Sequence, residues 1–151
     1  MQSKPFGTGS ARRISGYSLV EVAISLAIAG VAIIGSINGY ILSATRAEWS
    51  AYSLAAHSMA LQRIEQARAA KWDPMATPAV DQVVGTNFPV TVDILDVPSS
   101  GTNIVYATNI TTITSISANP LLRMIRVDCI WPFRAHGVFT NTLTSYRATD
   151  Q

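Results

Sequence analysis

Few residues in this sequence have the types and spacing that enzymatic chemistry needs. His57 and His136 occur together with many serines and nine acidic residues, so a serine–histidine–acid triad is formally possible. No nucleophile-elbow sequence and no phosphate-binding glycine loop is found. We therefore predict that the protein is not an enzyme, and that each histidine is hydrogen-bonded or faces solvent.

Metal and cofactor sites are equally unsupported by the sequence. Two histidines without motif spacing and the single Cys129 do not form a zinc signature. We expect Cys129 to be a small core residue on a strand, and we predict no metal and no cofactor. Asn109-Ile110-Thr111 matches the N-glycosylation sequon, but short matches in a threonine-rich stretch are commonly accidental.

Glu21 is the acidic residue whose surroundings are most unusual. It is the single formal charge in the apolar segment 17–42, which contains no proline. As a helix that segment would be about 39 Å long, enough to cross a membrane. A carboxylate in such a segment is costly unless it has a function or reaches the headgroups.

The basic residues before this segment predict its orientation. Lys4, Arg12 and Arg13 carry the positive charge of residues 1–16, which leaves eight basic and nine acidic residues in the rest of the chain. The positive-inside tendency places residues 1–16 in the cytoplasm and the body outside the inner membrane. The nearly neutral body does not imply nucleic-acid binding. A conventional secretory signal fits less well, because the apolar core is too long and residues 42–44 are a poor cleavage site.

Residues 43–73 predict an amphipathic continuation of the helix. The stretch lacks glycine and proline until Asp73-Pro74, where the helix should end. A continuous helix from Tyr17 to Lys71 would be about 80 Å long. Its apolar face is predicted at Leu54, Leu61 and Ile64, with Ala47 and Ala51.

Residues 74–151 predict an antiparallel β-sheet, because period-two alternation returns and turns separate the candidate strands. The strands are expected near residues 88–94, 104–117, 125–131 and 138–147. Their predicted inward side chains include Phe88, Val90, Val92 and Ile94 on the first strand and Ile125, Val127, Cys129 and Trp131 on the third.

The stretch Arg12-Arg13-Ile14-Ser15-Gly16-Tyr17-Ser18-Leu19-Val20-Glu21, with its apolar continuation, resembles the class III leader of type IV pilin-like proteins. The resemblance implies a lollipop-shaped α+β fold, with one long N-terminal helix packed on a small antiparallel sheet. It implies that prepilin peptidase removes residues 1–16 by cutting after Gly16 and methylates the new amine of Tyr17. Glu21 then pairs with the amine of a neighbouring subunit and sets the register of assembly.

The resemblance also narrows the expected function. The membrane helix lacks an internal proline, and the chain lacks a carboxy-terminal cysteine pair and an acidic calcium-loop cluster. These departures favour a minor pilin or a minor type II secretion pseudopilin. Its partners would be prepilin peptidase, other pilin or pseudopilin subunits and, before assembly, inner-membrane lipid. Two alternatives remain: an uncleaved single-pass anchor carrying a binding domain, and an exported hydrolase.

Overall fold

The computed structural model describes residues 17–95, 97, 104–133 and 136–150. It divides into two compact units, with the boundary between Ser43 and Ala44. The predicted leader, residues 1–16, lies outside the described residues. One helix and six strands account for most of the remainder.

Helix α1 spans Leu19–Ala69 and contributes to both units. In the first unit its apolar side chains are exposed along the whole segment, as at Leu26, Val31 and Ile41. In the second unit it buries a stripe with three- and four-residue spacing, as expected for a helix that packs along one face. That stripe consists of Tyr52, Ala56, Ala60, Ile64 and Ala67.

The second unit contains a four-stranded antiparallel sheet in the order β3-β4-β5-β6. Its strands are β3 (Thr91–Ile94), β4 (Tyr106–Ala118), β5 (Leu121–Pro132) and β6 (Val138–Ala148). A separate ribbon pairs β1 (Trp72–Asp73) with β2 (Val80–Asp81), and a short 3-10 helix spans Gly85–Asn87. The α+β fold, with the helix packed on a small antiparallel sheet, confirms the predicted class.

Strand β5 supplies the centre of the core. Ile125, Val127, Cys129 and Trp131 are all buried, so the inward face predicted for this strand is confirmed. Trp131 stacks on Tyr52 of α1 at 6.0 Å between ring centroids and on Phe139 of β6 at 5.2 Å. These ring contacts pack the helix against β5 and β6.

Two details of the predicted packing are wrong. Leu54 and Leu61 are 70% and 47% exposed, because the helix approaches the sheet through its alanines instead. For the first predicted strand of the sheet, Phe88 is buried as predicted, but the other inward positions are wrong. Val90, Val92 and Ile94 are 59%, 61% and 56% exposed, whereas Thr91 is half-buried and accepts a hydrogen bond from Arg63 of the helix.

The carboxy-terminal residues close the end of α1. Arg147 donates from Nη1 to the carbonyl oxygen of Ala67 at 2.9 Å. This carbonyl lies in the last helical turn, where acceptors lack a partner within the helix and a cationic donor is favourable. The backbone N–H of Trp72 donates to the Asp150 carboxylate at 2.8 Å.

Arg123 of β5 lies over the Trp72 ring at 4.3 Å and forms an ion pair with Asp81 at 2.7 Å. The ribbon is thereby joined to the sheet.

Candidate assembly site on the amino-terminal helix

The start of α1 contains the residues for which the sequence predicts a function. Gly16, the predicted processing residue, lies outside the described residues. Tyr17, the predicted site of the new amine and its methyl group, precedes the helix and is 81% exposed. Glu21 lies in the first helical turn and is exposed. Tyr17 and Glu21 are therefore about one turn apart, as an amine–carboxylate register site would require.

Ser18 caps this helix end, which the sequence analysis did not anticipate. Its hydroxyl oxygen accepts a hydrogen bond from the backbone N–H of Glu21 at 3.2 Å. The carbonyl oxygen of Ser18 accepts the first intrahelical bond, from the N–H of Val22, also at 3.2 Å. The pattern Ser-x-x-Glu was a readable signal, because it is a known N-terminal capping sequence.

The side chain of Glu21 takes no part in that cap. Within residues 17–95, 97, 104–133 and 136–150, no hydrogen bond joins its carboxylate to the N–H of Ser18, so only half of a capping box is formed. A carboxylate in the first turn is still favoured by the helix dipole. The carboxylate can therefore stabilise the start of the helix and still pair with a group from another chain.

The rest of the first unit provides a continuous apolar helix surface. Leu19, Ile28 and Ile33 are 86%, 65% and 60% exposed. Gly30, Gly35 and Gly39 have open space where a Cβ would lie. By length and composition, α1 is able to cross a membrane, because it contains an apolar stretch of at least 18 residues with few charges. A membrane-anchoring helix is thus compatible with the structure.

The groups considered for catalysis are dispersed or inaccessible. His57 is exposed on α1, and the ring of His136 stacks on Phe133 at 5.7 Å between centroids. Cys129 is fully buried, and burial, reinforced by the negative charge of Asp93, raises the pKa of its thiol to about 11. In the described part of the chain no group of three His, Cys, Asp or Glu residues could hold a metal ion.

Asn109 is placed where the glycosylation sequon could not be used in the folded chain. Its side chain is 2% exposed on β4, between Thr91 of β3 and Cys129 of β5. A glycosylated side chain must project into solvent. The sequon is therefore a chance match, and Asn109 belongs to the interior of the helix–sheet interface.

No family model, curated protein or solved structure matches this chain.

Proposed function

We propose that the protein is a structural subunit, of the minor class, of a type IV pilus or a type II secretion pseudopilus. Its precursor is held in the inner membrane by α1, with residues 1–16 in the cytoplasm and the sheet-containing unit outside. Prepilin peptidase cuts after Gly16 and methylates Tyr17. The mature chain then enters a fibre together with other pilin or pseudopilin subunits.

The division of one helix into two kinds of surface carries this proposal. Between Leu19 and Leu42 the large apolar side chains are exposed, so that part of α1 needs a lipid or protein environment. From Tyr52 to Ala67 the same helix has a buried stripe against its own sheet. A subunit that moves from a bilayer into a fibre core needs both surfaces on one continuous helix.

The start of the helix supplies the proposed specificity. An amine on Tyr17 and the carboxylate of Glu21 would lie about one turn apart in every subunit. When two subunits are staggered along the fibre, the amine of one meets the carboxylate of the other. In an apolar fibre core the pair relieves the desolvation cost of both charges, and an incorrect register leaves both unpaired.

The Ser18 cap is equally compatible with a second candidate, an uncleaved single-pass anchor. The cap forms between the Ser18 hydroxyl and the backbone N–H of Glu21, so the start of α1 is capped whether or not the chain is cut at Gly16. A glutamate in the first turn would then be a favourable helix-dipole residue and nothing more. This candidate predicts a protein that stays in the membrane with its leader attached.

Variants at the processing residue distinguish the two candidates. We would express wild-type protein and Gly16→Ala, or a bulkier Gly16 variant, in cells that contain a prepilin peptidase and a filament machine. Immunoblots of membrane and sheared-fibre fractions would report precursor and mature forms. The filament proposal predicts mature wild type in both fractions and uncut Gly16 variants in the membrane alone. Identical, uncut wild-type and variant proteins confined to the membrane would support the anchor.

A further inference from the structure

The groove between β3 and the second-unit part of α1 has the features of a binding site. Its volume is about 460 Å³. Met59, Gln62, Arg63 and Gln66 line it from the helix, and Thr91, Asp93, Ile94 and Asn109 line it from the sheet. It is lined mainly by polar side chains at a helix–sheet boundary, where a structural core would normally be apolar.

Asn109 is the residue in this groove that most requires a partner. It is 2% exposed, and no residue in the described part of the chain forms a hydrogen bond with its Oδ1. Its Nδ2 donates to Asp93 Oδ2 over 3.5 Å, a long and weak hydrogen bond. Leaving a buried acceptor unsatisfied costs free energy, and such groups in folded proteins are usually occupied. Asn109 Oδ1 is therefore an acceptor beside the groove that no described side chain satisfies.

Two opposite charges flank this acceptor without neutralising each other. Arg63 donates to Gln66 Oε1 at 3.0 Å and to Thr91 Oγ1 at 2.7 Å, both of which are neutral acceptors. Within the described residues neither Arg63 nor Asp93 forms an ion pair. Thr91, which Arg63 contacts, and Asp93 lie two residues apart on β3, so the guanidinium and the Asp93 carboxylate border the same groove.

We infer that this groove binds a zwitterionic ammonium–carboxylate ligand of the α-amino acid type. The ligand ammonium would donate to the Asp93 carboxylate and, after a rotation of the Asn109 side chain toward the groove, to Asn109 Oδ1, and the ligand carboxylate would accept from Arg63. A simple cation would be repelled by Arg63, and a simple anion would be repelled by Asp93 and the Asn109 oxygen. A ligand with both charges satisfies all three groups, and Met59 and Ile94 offer apolar contact to its side chain.

Leucine is a suitable probe, with two analogues that each remove one charge. The full chain in detergent micelles, labelled with 15N-asparagine, would be titrated with leucine, N-acetyl-leucine and leucinamide. The side-chain amide resonance of Asn109 reports binding. Leucine should shift this resonance saturably, and each analogue should bind at least about tenfold more weakly because one charge-assisted hydrogen-bond set is lost.

Variants test whether these residues form the site. Asp93→Asn and Arg63→Gln should each weaken leucine binding by about tenfold or more. Glu65→Gln is the matched control, because Glu65 is exposed on the same helix, pairs with Arg68 and is not among the groove residues. Thermal unfolding would verify that all three variants fold. The inference is overturned if leucine leaves Asn109 unshifted, if leucine and either analogue bind equally, or if Asp93→Asn binds like the wild type.

Discussion

The hydroxyl oxygen of Ser18 accepts a hydrogen bond from the backbone N–H of Glu21 at 3.2 Å. The cap thus uses the backbone of residue 21 and leaves its carboxylate available. A substitution at this position should therefore leave the start of α1 intact. This separation of backbone and side-chain roles allows the assembly function proposed for Glu21 to be tested without damaging the helix.

Two substitutions of Glu21 separate the charge of the side chain from its polarity. Glutamine retains the length and the hydrogen-bonding groups of the side chain but removes the charge, whereas valine removes both. If the carboxylate pairs with a neighbour's amine, Glu21→Gln and Glu21→Val should both be processed after Gly16 and should both be depleted from the sheared-fibre fraction. Immunoblots of precursor, mature protein and fibre provide the measurement.

The result for Glu21→Gln is decisive for the role of the charge. Wild-type incorporation of Glu21→Gln, with loss in Glu21→Val alone, would show that assembly needs the polarity of residue 21 and not its charge. A processing defect in Glu21→Val equal to that of Gly16→Ala would contradict the separate roles proposed for the two residues.

The alanines of α1 should be intolerant of larger side chains. Ala56 and Ala60 are fully buried between the helix and the sheet, so Ala60→Leu should lower the free energy of unfolding by about 1–3 kcal/mol through overpacking. Leu54→Ala, on the exposed side of the same helix, should change it by less than about 0.5 kcal/mol. Urea unfolding of the full chain in detergent, followed by tryptophan fluorescence, would measure both. Equal losses in the two variants would contradict the observed helix face.

Residue types and periodicity predicted the elements better than their packing. The alternation on β5 identified Ile125 and Val127 as core residues, since a strand with one strongly apolar face usually packs that face against the core. On α1 the same argument selected Leu54 and missed Ala56. A count of hydrophobicity favours large side chains, whereas close helix–sheet approach favours small ones.

The candidate sites show a similar limit. The potential register residues Tyr17 and Glu21 are close in sequence, so their spacing could be read directly. The groove at Asn109 requires residues from α1, β3 and β4, which come together only in the folded chain. The side of β3 that faces the helix could not be predicted either. Val92 and Thr91 both suit strands, and only the tertiary structure determines which of them is turned toward the helix.

Cys129 should be unreactive in the folded protein. It is fully buried, and burial raises the pKa of its thiol to about 11, so almost no thiolate is present near neutral pH. N-ethylmaleimide at about pH 7.5 should leave the native protein unmodified and add one label after denaturation in guanidinium. Intact mass spectrometry gives the count. Rapid labelling of the native chain would contradict the buried position of this strand.

Acid should weaken the contacts that join the ribbon and the carboxy terminus to the sheet. The side-chain hydrogen bond from Arg123 lowers the pKa of Asp81, and the backbone hydrogen bond from Trp72, with Arg147, lowers the pKa of Asp150. Because the unfolded carboxyls protonate first as the pH falls, this stabilisation is present above the ordinary pKa of 3.8 and is lost below it.

A variant isolates this pH dependence for one carboxyl group. Asp81→Asn should have a lower Tm than the wild type at about pH 6, and the difference should shrink as the pH falls to about 2.5. Circular dichroism during thermal unfolding would measure it in detergent. A Tm difference that stays constant over this range would show that the Asp81 charge contributes nothing to folding.

The amino terminus of the protein from membranes that contain a prepilin peptidase tests the central proposal most directly. Intact mass and amino-terminal sequencing should give a chain that begins at Tyr17 and carries one added methyl group. A chain that still begins at Met1, or one cut beyond Ala44, would contradict the filament-subunit proposal and leave Glu21 as a residue of the capped helix start.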